Sequence, residues 1–514
     1  MQLPAIDISA IAPEVVIALT GLLILAADIF LKPRRAMSLA VLALAGLFIS
    51  LLMTGAIWSR DETAFSGMVA VDTYSQFFKI IFILSAAFTV LMSPRYLKLF
   101  NISMGEYLEL ILFATLGMMV MVAGNDLLTI YIGLELMAIS IYLMAGFQRQ
   151  SPRSSEASIK YFLLGSFASA ILLYGISFFY GITSTTSLPG IAEYLDFTKS
   201  AESGKQITQM LNPSLITLSL VLMTVGFSFK IAAVPFHMWT PDVYEGAPTP
   251  LTAFMSVGPK VAGFAVIMRV YLTTFNTLVL DWTQLFMLLS ILTMIVGNVV
   301  AVAQSNIKRM LAYSSIAHAG YLLIGVVSAG SAMEVTSRIT LRGALISESI
   351  ISVMVYLFAY MFMNLGTFAI VITLAREGDP HESLSDYAGL AKRRPLTAML
   401  MAILLLSLAG IPPTFGFVGK LFIFKAAIDT ENTQLAVIGV INSVIAAFYY
   451  IRVIVYMYMK ESEAGAVAEG DMAGSTMYAA VTASLFTIVF GVAPGTVIGL
   501  ARDTIAPMLQ RILG

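Results

Sequence analysis

The segment Ser407–Lys420, SLAGIPPTFGFVGK, interrupts a long apolar run and places a lysine just beyond the interruption. Pro412 and Pro413 have no N–H group, so the carbonyls four residues before them lose their helical partners. Broken backbone occurs at membrane depth only where it is buried in protein or lines water, and an ammonium there is costly unless water, a counter-ion or deprotonation relieves it. Lys420 beside this break therefore indicates an ion or proton path.

Composition places the chain in a class before any motif is considered. Of its 514 residues 59% are hydrophobic and only 11% are charged, whereas soluble domains carry about 25% charged residues. The chain is therefore predicted to be a polytopic membrane protein in contact with a lipid bilayer. Its net charge of −1 gives no indication of a nucleic-acid partner. Because it has no Cys, disulfides, Cys-ligated zinc, iron–sulfur clusters and thiolate chemistry are excluded for this chain.

Apolar runs of about 20 residues predict an all-α fold with about 14 transmembrane helices. The predicted helices lie near 11–31, 36–58, 72–93, 106–123, 125–147, 156–182, 213–238, 247–273, 283–303, 307–329, 343–374, 395–428, 433–459 and 474–501. The first run lacks a basic segment before it and a cleavage site after it, so we expect a retained helix. The longest polar segment, 183–212, is too short for a second globular domain, and residues 1–514 are predicted to form one membrane domain.

Basic residues predict the orientation of the chain in the membrane. Fourteen Lys and Arg residues fall in the odd-numbered connections and five in the even-numbered ones. Because connections rich in Lys and Arg stay in the cytoplasm, the odd-numbered connections are predicted to be cytoplasmic. Both termini are then expected on the outer, periplasmic side.

Two interrupted helices indicate an internal repeat. Predicted helix 7 carries Lys230 one turn before Pro235, and predicted helix 12 carries Lys420 after its own break. A separation of five helices reverses the direction of crossing. We therefore predict two inverted five-helix repeats, helices 4–8 (about 106–273) and helices 9–13 (about 283–459), with helices 7 and 12 broken.

Charged residues in the middle of apolar helices are the first candidates for the path. Glu135 lies in the centre of predicted helix 5, where desolvation favours its neutral form unless a cation is near. Lys230 lies where the missing N–H of Pro235 frees a carbonyl. The functional interpretation makes Glu135 the counter-charge of Lys230. The structural alternatives are a simple hydrogen bond for the carboxylate and a lysine that snorkels to the cytoplasmic edge.

Three further residues extend the candidate path. Lys260 is deep in predicted helix 8 beside Pro259, where snorkelling is harder and a helix break is expected. Lys160 is near a helix start, so an interfacial anchor is the alternative to a proton-path role. His318 is central in its helix and titrates near neutrality, although a lone membrane histidine is often a core hydrogen-bonding residue. Other basic residues in or near apolar runs are predicted to be anchors or helix–helix ties: Lys79, Arg269 and Arg452.

Two segments carry a family resemblance: 237–260, HMWTPDVYEGAPTPLTAFMSVGPK, and the proline segment 407–420. They resemble signature segments of the subunit N family of bacterial NADH-quinone oxidoreductase, respiratory complex I, and the resemblance extends over about 11–501. It implies an antiporter-like subunit of the cell inner membrane that contacts other membrane-arm subunits, including neighbouring antiporter-like ones. The proton-transfer axis that it implies matches these residues here: Glu135, Lys230, Lys260 and Lys420.

The resemblance also implies where the redox groups are. No cofactor is expected in this chain, whereas NADH, FMN, iron–sulfur clusters and quinone are expected in partner subunits. Related antiporter-like subunits fit less well, because the terminal one adds a lateral helix and the one between usually has Glu at the position of Lys420. No metal site is expected, since His237, His318 and His381 are scattered.

An electrostatic mechanism follows from these residues, with three alternatives left open. At an effective dielectric of about 20, a Glu135–Lys230 pair about 4 Å apart would interact by roughly 4 kcal/mol, which is enough to gate a proton. Protons are predicted to enter near Lys230 and to pass Lys260 and His318 towards Lys420. The alternatives are an Mrp-type cation/proton antiporter, a structural spacer and a quinone-binding redox subunit.

Overall fold

The structure, a computed structural model, describes residues 7–30, 36–200, 213–334, 339–376, 379–461 and 474–513. Within these ranges the chain is built almost entirely from helices, as predicted. Its α-helices are α1 Ala12–Phe30, α2 Ala36–Ala56, α3 Thr73–Leu99, α4 Met104–Ala123, α5 Leu127–Ala145, α6 Pro152–Thr183, α7 Leu188–Ser200, α8 Pro213–Ile231, α9 Trp239–Gly246, α10 Thr249–Arg269, α11 Val279–Val302, α12 Ile307–Ala332, α13 Ile339–Leu374, α14 Leu390–Arg393, α15 Pro395–Ala409, α16 Phe415–Asp429, α17 Thr433–Met459, α18 Gly474–Val492, α19 Gly495–Thr504 and α20 Ala506–Leu513.

Most of the predicted membrane helices are confirmed, but the helices predicted at 213–238 and 474–501 end earlier, at Ile231 and Val492. Among the described residues, thirteen helices are long and apolar enough to cross a membrane. The fourteenth predicted span, 395–428, consists of the shorter helices α15 and α16, which the proline segment separates. Three helices, α10, α12 and α13, are almost entirely buried and form the centre of the molecule. Helices α1, α2, α6 and α18 leave wide apolar faces exposed on the periphery.

The connections contain more structure than the sequence predicted. The segment 183–212, predicted only as a polar connection, contains helix α7 at Leu188–Ser200, and its residues 201–212 lie outside the described residues. A short antiparallel hairpin pairs β1, Glu62–Ala64, with β2, Val69–Val71. The predicted helix–helix ties are present at Arg452, which donates to the carbonyls of Val302 and Gln304.

The break predicted in helix 7 is confirmed at Pro235. Helix α8 ends at Ile231, and Ala232 follows with a left-handed φ of 58°. The chain re-enters helical structure in α9, where the Trp239 indole donates to the carbonyl of Phe229 at 3.2 Å. The polar connector between α8 and α10 therefore sits against the end of α8 and keeps Lys230 next to non-helical backbone.

The break predicted at Pro259 is wrong. Helix α10 continues through this proline without interruption. Proline removes only one hydrogen bond from a helix, the one to the carbonyl four residues earlier, which here belongs to Met255. The Tyr244 hydroxyl donates to that carbonyl at 3.4 Å. A side chain from α9 thus supplies the partner that Pro259 cannot, and the helix continues unbroken past Lys260 in the core.

The same hydrogen-bonding pattern begins α5 and α12. Asp126 and Asn306 cap these two helices. Each side chain accepts hydrogen bonds from the backbone amides two and three residues later in the chain. Each cap also forms an isolated β-bridge with a serine just before another short helix, Asp126 with Ser187 and Asn306 with Ser383. The two helices are the fifth and tenth predicted membrane helices, 125–147 and 307–329. The two halves of the chain therefore repeat one local arrangement at the positions that a five-helix repeat requires.

Close helix packing repeats in the same way. A Cβ at Gly117 in α4 would collide with the backbone of Met137 in α5, and a Cβ at Gly297 in α11 would collide with the backbone of Ala317 in α12. Small residues let membrane helices approach to backbone contact. The α4–α5 and α11–α12 pairs consequently pack through equivalent glycines.

Candidate functional site

Lys420 lies in the second turn of α16, and its side chain reaches back to the break between α15 and α16, where it replaces the missing helical hydrogen bonds. Its Nζ donates to the carbonyls of Leu408 at 3.1 Å and Ala409 at 2.9 Å, and to Ser443 Oγ at 2.9 Å. These are the two carbonyls that the paired prolines deprive of partners. Gly410 has a φ of 86°, and a Cβ there would come within 2.8 Å of the lysine side chain. The break thus forms a polar binding site for one buried ammonium. Lys420 as a residue is only 3% exposed.

Lys260 reaches from α10 to the middle of α12. Its Nζ donates to both the carbonyl and the hydroxyl of Ser315, and the Tyr360 hydroxyl donates to the same Ser315 Oγ at 2.9 Å. The lysine is 2% exposed. Among the described residues no carboxylate lies within 4 Å of its ammonium. A lysine held by hydroxyl and carbonyl groups, without a counter-ion, is well placed to take up and release a proton.

His318 lies between two tyrosine hydroxyls. Its Nδ1 is 2.6 Å from Tyr356 Oη and its Nε2 is 3.1 Å from Tyr450 Oη. A neutral imidazole donates through one nitrogen and accepts through the other, so contacts on both nitrogens allow a proton to arrive on one side and leave on the other. Tyr450 also hydrogen-bonds Ser314, which extends the polar contacts along α12.

Helices α12 and α13 bring the lysines and the histidine together. Ser315 and His318 are one turn apart on α12, and their tyrosine partners, Tyr360 and Tyr356, are one turn apart on α13. The sequence does not single out these hydroxyl residues, although two tyrosines at a spacing of four in an apolar helix were a usable signal. The Lys260 contact and the His318 contact therefore lie one turn apart along α12 and α13, with the Tyr360 ring centre 5.0 Å from that of His318.

Tyr321 connects the histidine with the second lysine. Its ring centre lies 5.0 Å from Lys420 Nζ and 5.8 Å from the centre of the His318 ring. Asn298 donates to the Tyr321 hydroxyl at 3.1 Å and fixes the ring. We call Lys260, His318 and Lys420, with the hydroxyl groups between them, the central axis. The structure brings together these three predicted residues in the buried core.

Lys230 and Glu135 do not form the direct ion pair that the sequence predicted. Lys230 Nζ donates to Tyr142 Oη at 3.4 Å, and the Glu135 carboxylate accepts from the Ser169 hydroxyl. Lys230 is buried, whereas Glu135 is only half-buried on an outward face of α5. Tyr142 lies two turns beyond Glu135 on the same helix. A tyrosine from the helix of the glutamate thus takes the place that we predicted for the carboxylate itself.

Lys160 is not brought to the central axis. Its side chain is 41% exposed and pairs with Glu156 at 2.6 Å and with Asp242 at 2.8 Å. Asp242 also contacts Arg309 at 2.9 Å. Burial opposes ionisation of Asp242, but hydrogen bonds from Lys160 and Arg309 hold its pKa below the usual value. The structure therefore places Lys160 in an ionic cluster that ties α6 to the connector before α10.

Lys308 belongs to the buried part of the site region, although the sequence assigns it to a connection. Its side chain is 1% exposed, and its Nζ donates to the carbonyls of Glu245 at 2.9 Å and Ala247 at 2.7 Å and pairs with Glu382 at 3.0 Å. It thus holds the start of α10 against α12. No sequence signal distinguishes it from Arg309 beside it, because both follow the same helix cap.

Metal ligands do not gather anywhere in the described ranges. These contain no group of three or more His, Asp or Glu side chains placed to hold a metal ion. His237 lies in the connector before α9, and His381 lies beside Asp379 in the connection before α14. The chemistry available at the central axis is therefore that of amines, imidazole and hydroxyl groups.

Comparisons with known proteins identify the family of the chain. A family model described as NADH:quinone oxidoreductase/Mrp antiporter, TM, matches residues 124–446, which include every lysine of the candidate path and His318. NADH-quinone oxidoreductase subunit N of Trichlorobacter lovleyi is 42% identical over 97% of both chains. The chain belongs to the subunit N family of NADH-quinone oxidoreductase. The resemblance seen in the sequence segments is thereby confirmed.

Solved structures show how far the fold is shared with this family. A chain of respiratory complex I from Thermus thermophilus with bound aureothin has a TM-score of 0.77 and 29% identity, and the match covers 95% of this chain and 99% of that one. A chain of the Mrp complex from Dietzia sp. DQ12-45-1b has a TM-score of 0.79 at 19% identity, covering 98% and 99%. At that identity the second likeness shows a common fold alone.

Proposed function

We propose that this chain is a proton-translocating, antiporter-like subunit in the membrane arm of bacterial NADH-quinone oxidoreductase. The observation that carries this function is the central axis, in which Lys260, His318 and Lys420 are buried, have no carboxylate partner among the described residues, and each contact a hydroxyl group. The complex transfers electrons from NADH to quinone through groups held by partner subunits. This chain contributes the proton path and contacts the neighbouring membrane-arm subunits.

The groups along the axis can each hold and release a proton. Lys260 can release a proton to the Ser315 hydroxyl that it contacts, and His318 can accept a proton on one ring nitrogen while it gives up the proton on the other. Lys420 receives the charge because two backbone carbonyls and a hydroxyl stabilise an ammonium at its position. Two ammonium groups in a poorly screened interior repel each other, so charging one lysine favours release from the other.

We infer that Lys230 supplies the axis and that Glu135 tunes Lys230 through Tyr142. The carboxylate is half-buried on the outer face of α5, where a change in its surroundings alters its charge. Tyr142 lies on the same helix and accepts from Lys230 Nζ. Movement or neutralisation of Glu135 would then change how firmly Lys230 holds its proton, without direct contact between the two charges.

Replacing both members of this pair tests the proposed function. Lys230→Ala is expected to lower NADH-driven proton uptake strongly, Glu135→Gln to lower it less, and the double variant to lose less than the two single losses combined in free-energy units, since the residues act together. Uptake is measured in sealed vesicles and divided by the amount of assembled complex. Lys425→Ala, which removes an exposed surface pair with Asp429, is the control and should pump normally. Normal pumping in both single variants would contradict the proposal.

We also propose that the two five-helix units are inverted repeats with both termini on the outer side. The capping pattern shared by Asp126 and Asn306 and the equivalent glycine contacts support the repeats. Each repeat then contains one broken helix with a buried lysine beside the break, Lys230 before it in the first and Lys420 after it in the second. The excess of Lys and Arg in the odd-numbered connections supports the orientation.

Cysteine labelling tests this orientation, because the chain has no native Cys. Ser155 and Ser184 lie exposed at opposite ends of α6. In sealed vesicles of known sidedness, Ser155→Cys is expected to react with an impermeant thiol reagent from the cytoplasmic side only, and Ser184→Cys from the outer side only. Reaction of both from one side would show that α6 does not cross the membrane.

An Mrp-type cation/proton antiporter is the second candidate function. The fold shared with the Dietzia Mrp complex favours it, although that likeness concerns the fold alone. In vesicles that lack the NADH-oxidising partner subunits, sodium efflux driven by a proton gradient would support this candidate. Proton uptake that requires NADH oxidation, without sodium movement, supports the proposal made above.

A further inference from the structure

A second group of buried charges lies in α1 and α3, outside the central axis. Glu14 in the first turn of α1 is 4% exposed, and Lys79 in the second turn of α3 is fully buried. Lys79 Nζ lies 2.7 Å from Glu14 Oε1. Gln76, also fully buried, lies one turn before Lys79 on the same face of α3. Neither α1 nor α3 belongs to the proposed repeats.

Contacts with protein do not account for all the polar atoms of this group. The two Glu14 oxygens and Lys79 Nζ are close enough to attract each other but lack a well-aligned hydrogen bond, and both amide atoms of Gln76 have no hydrogen-bonding partner among the described residues. Nearby hydroxyl groups are already engaged, since Ser50 donates to the carbonyl of Pro13. An unsatisfied buried polar group costs about 1–3 kcal/mol, so an unpartnered buried amide one turn from a buried ion pair needs a reason.

Stability does not supply that reason. Taking two charges out of water is costly, and apolar residues of similar volume in place of a buried ion pair are often neutral or stabilising. The surrounding helices are rich in apolar side chains that would fill the space. A carboxylate and an ammonium in contact, with a primary amide one turn away, supply in contrast the two to four polar partners that a buried water requires.

We propose that Glu14, Gln76 and Lys79 form a water-binding proton-exchange site. Within it, the Lys79 ammonium gives a proton directly to the Glu14 carboxylate 2.7 Å away, which leaves a neutral amine and a carboxylic acid, and the reverse step restores the ion pair. Gln76 holds the water through its amide oxygen and nitrogen. The site rests on the proposed function, because only a proton-translocating subunit has a use for it.

The positions of Glu14 and Lys79 along their helices indicate with which side of the membrane this site exchanges protons. Glu14 is in the first turn of α1 and Lys79 about 9 Å along α3, counted at 1.5 Å a residue, so both lie near the membrane face where the N-terminal segment and the β1–β2 hairpin are found. In the proposed orientation this is the outer face. The site therefore exchanges protons with the outer aqueous phase, on the side where translocated protons are released.

Water access is tested by cysteine labelling of the assembled complex. Gln76→Cys is expected to react with a small impermeant thiol reagent from the outer side, as detected by mass spectrometry of this chain. Phe78→Cys is the matched control, because Phe78 is equally buried on the same helix and packs against aromatic rings. Reaction at position 76 but not at 78 supports the site. Absence of reaction at 76, or equal reaction at both, overturns it.

A packing-preserving double variant tests the role in pumping. Glu14→Leu with Lys79→Met removes both charges together, so assembly is expected to be retained. Protons taken up per NADH oxidised should fall several-fold, whereas unchanged pumping in assembled complex overturns the role. Lys260→Met in the same assay separates the two proposals. Normal pumping by the Lys260→Met variant would contradict the proposed function. A block in Lys260→Met together with normal pumping by the Glu14→Leu, Lys79→Met double variant would contradict only this inference. Should the double variant not assemble, the labelling result decides.

Discussion

Lys260→Met is expected to reduce NADH-driven proton uptake about 100-fold, the lower end of the range for removal of a positioned proton-transfer group. Methionine keeps an unbranched apolar stem in the packed core of α10 but cannot carry a proton. Ser315 and Tyr360 would then have no amine to exchange with. Uptake is measured in sealed vesicles as protons per NADH, normalised to assembled complex.

Two variants of the surrounding contacts serve as comparisons. Tyr360→Phe removes only the hydroxyl that donates to Ser315, so a smaller loss than with Lys260→Met is expected. Lys160→Met removes a lysine of the ionic cluster and should leave pumping near normal, since that side chain is 41% exposed and far from the axis contacts. Equal losses in Lys260→Met and Lys160→Met would contradict the distinction that the structure draws between the two lysines.

Arg269→Met is expected to destabilise the protein by about 3–5 kcal/mol, because it leaves a buried carboxylate without its partner. Arg269 donates twice to Asp72, with both contacts at 2.9 Å, and Asp72 is 1% exposed at the start of α3. Burial opposes ionisation of Asp72, but Arg269 overrides this effect and lowers its pKa to about 2. The pair's contribution is therefore full at neutral pH and is lost only as the pH falls below about 4 towards 2.

Arg511→Met provides the matched control for this prediction. Arg511 in α20 lies 3.7 Å from the same carboxylate but is 34% exposed, so its loss should cost less than about 1 kcal/mol. The double variant Asp72→Leu with Arg269→Met should recover most of the lost stability, since no unpaired charge remains. Stability is measured as thermal unfolding of the detergent-solubilised complex. A cost for Arg269→Met no larger than for Arg511→Met would show that the bidentate pair does not hold α3 to α10.

The candidate site was predictable from sequence where backbone chemistry determines it. Pro412 and Pro413 remove two defined hydrogen bonds, and the lysine eight residues after Pro412 supplies the replacements. The same reasoning failed at Pro259. The loss of a helical hydrogen bond at a proline is predicted from the local sequence alone, whereas here Tyr244 from another helix donates the hydrogen bond that the proline cannot. The predicted Glu135–Lys230 contact failed for a similar reason, since the sequence cannot tell which side chain of α5 faces α8.

The sequence by itself determined the class of protein, the number of membrane helices, the two breaks and the charged residues worth testing. These features depend on hydropathy and on the missing N–H of proline, which are local properties of the chain. Only the tertiary structure decided which charges meet: Lys260 with Ser315, Glu14 with Lys79, and Arg269 with Asp72. Apolar membrane helices have no strongly preferred facing side in their sequence, and their rotation is fixed only when small residues and polar groups pack against particular neighbours.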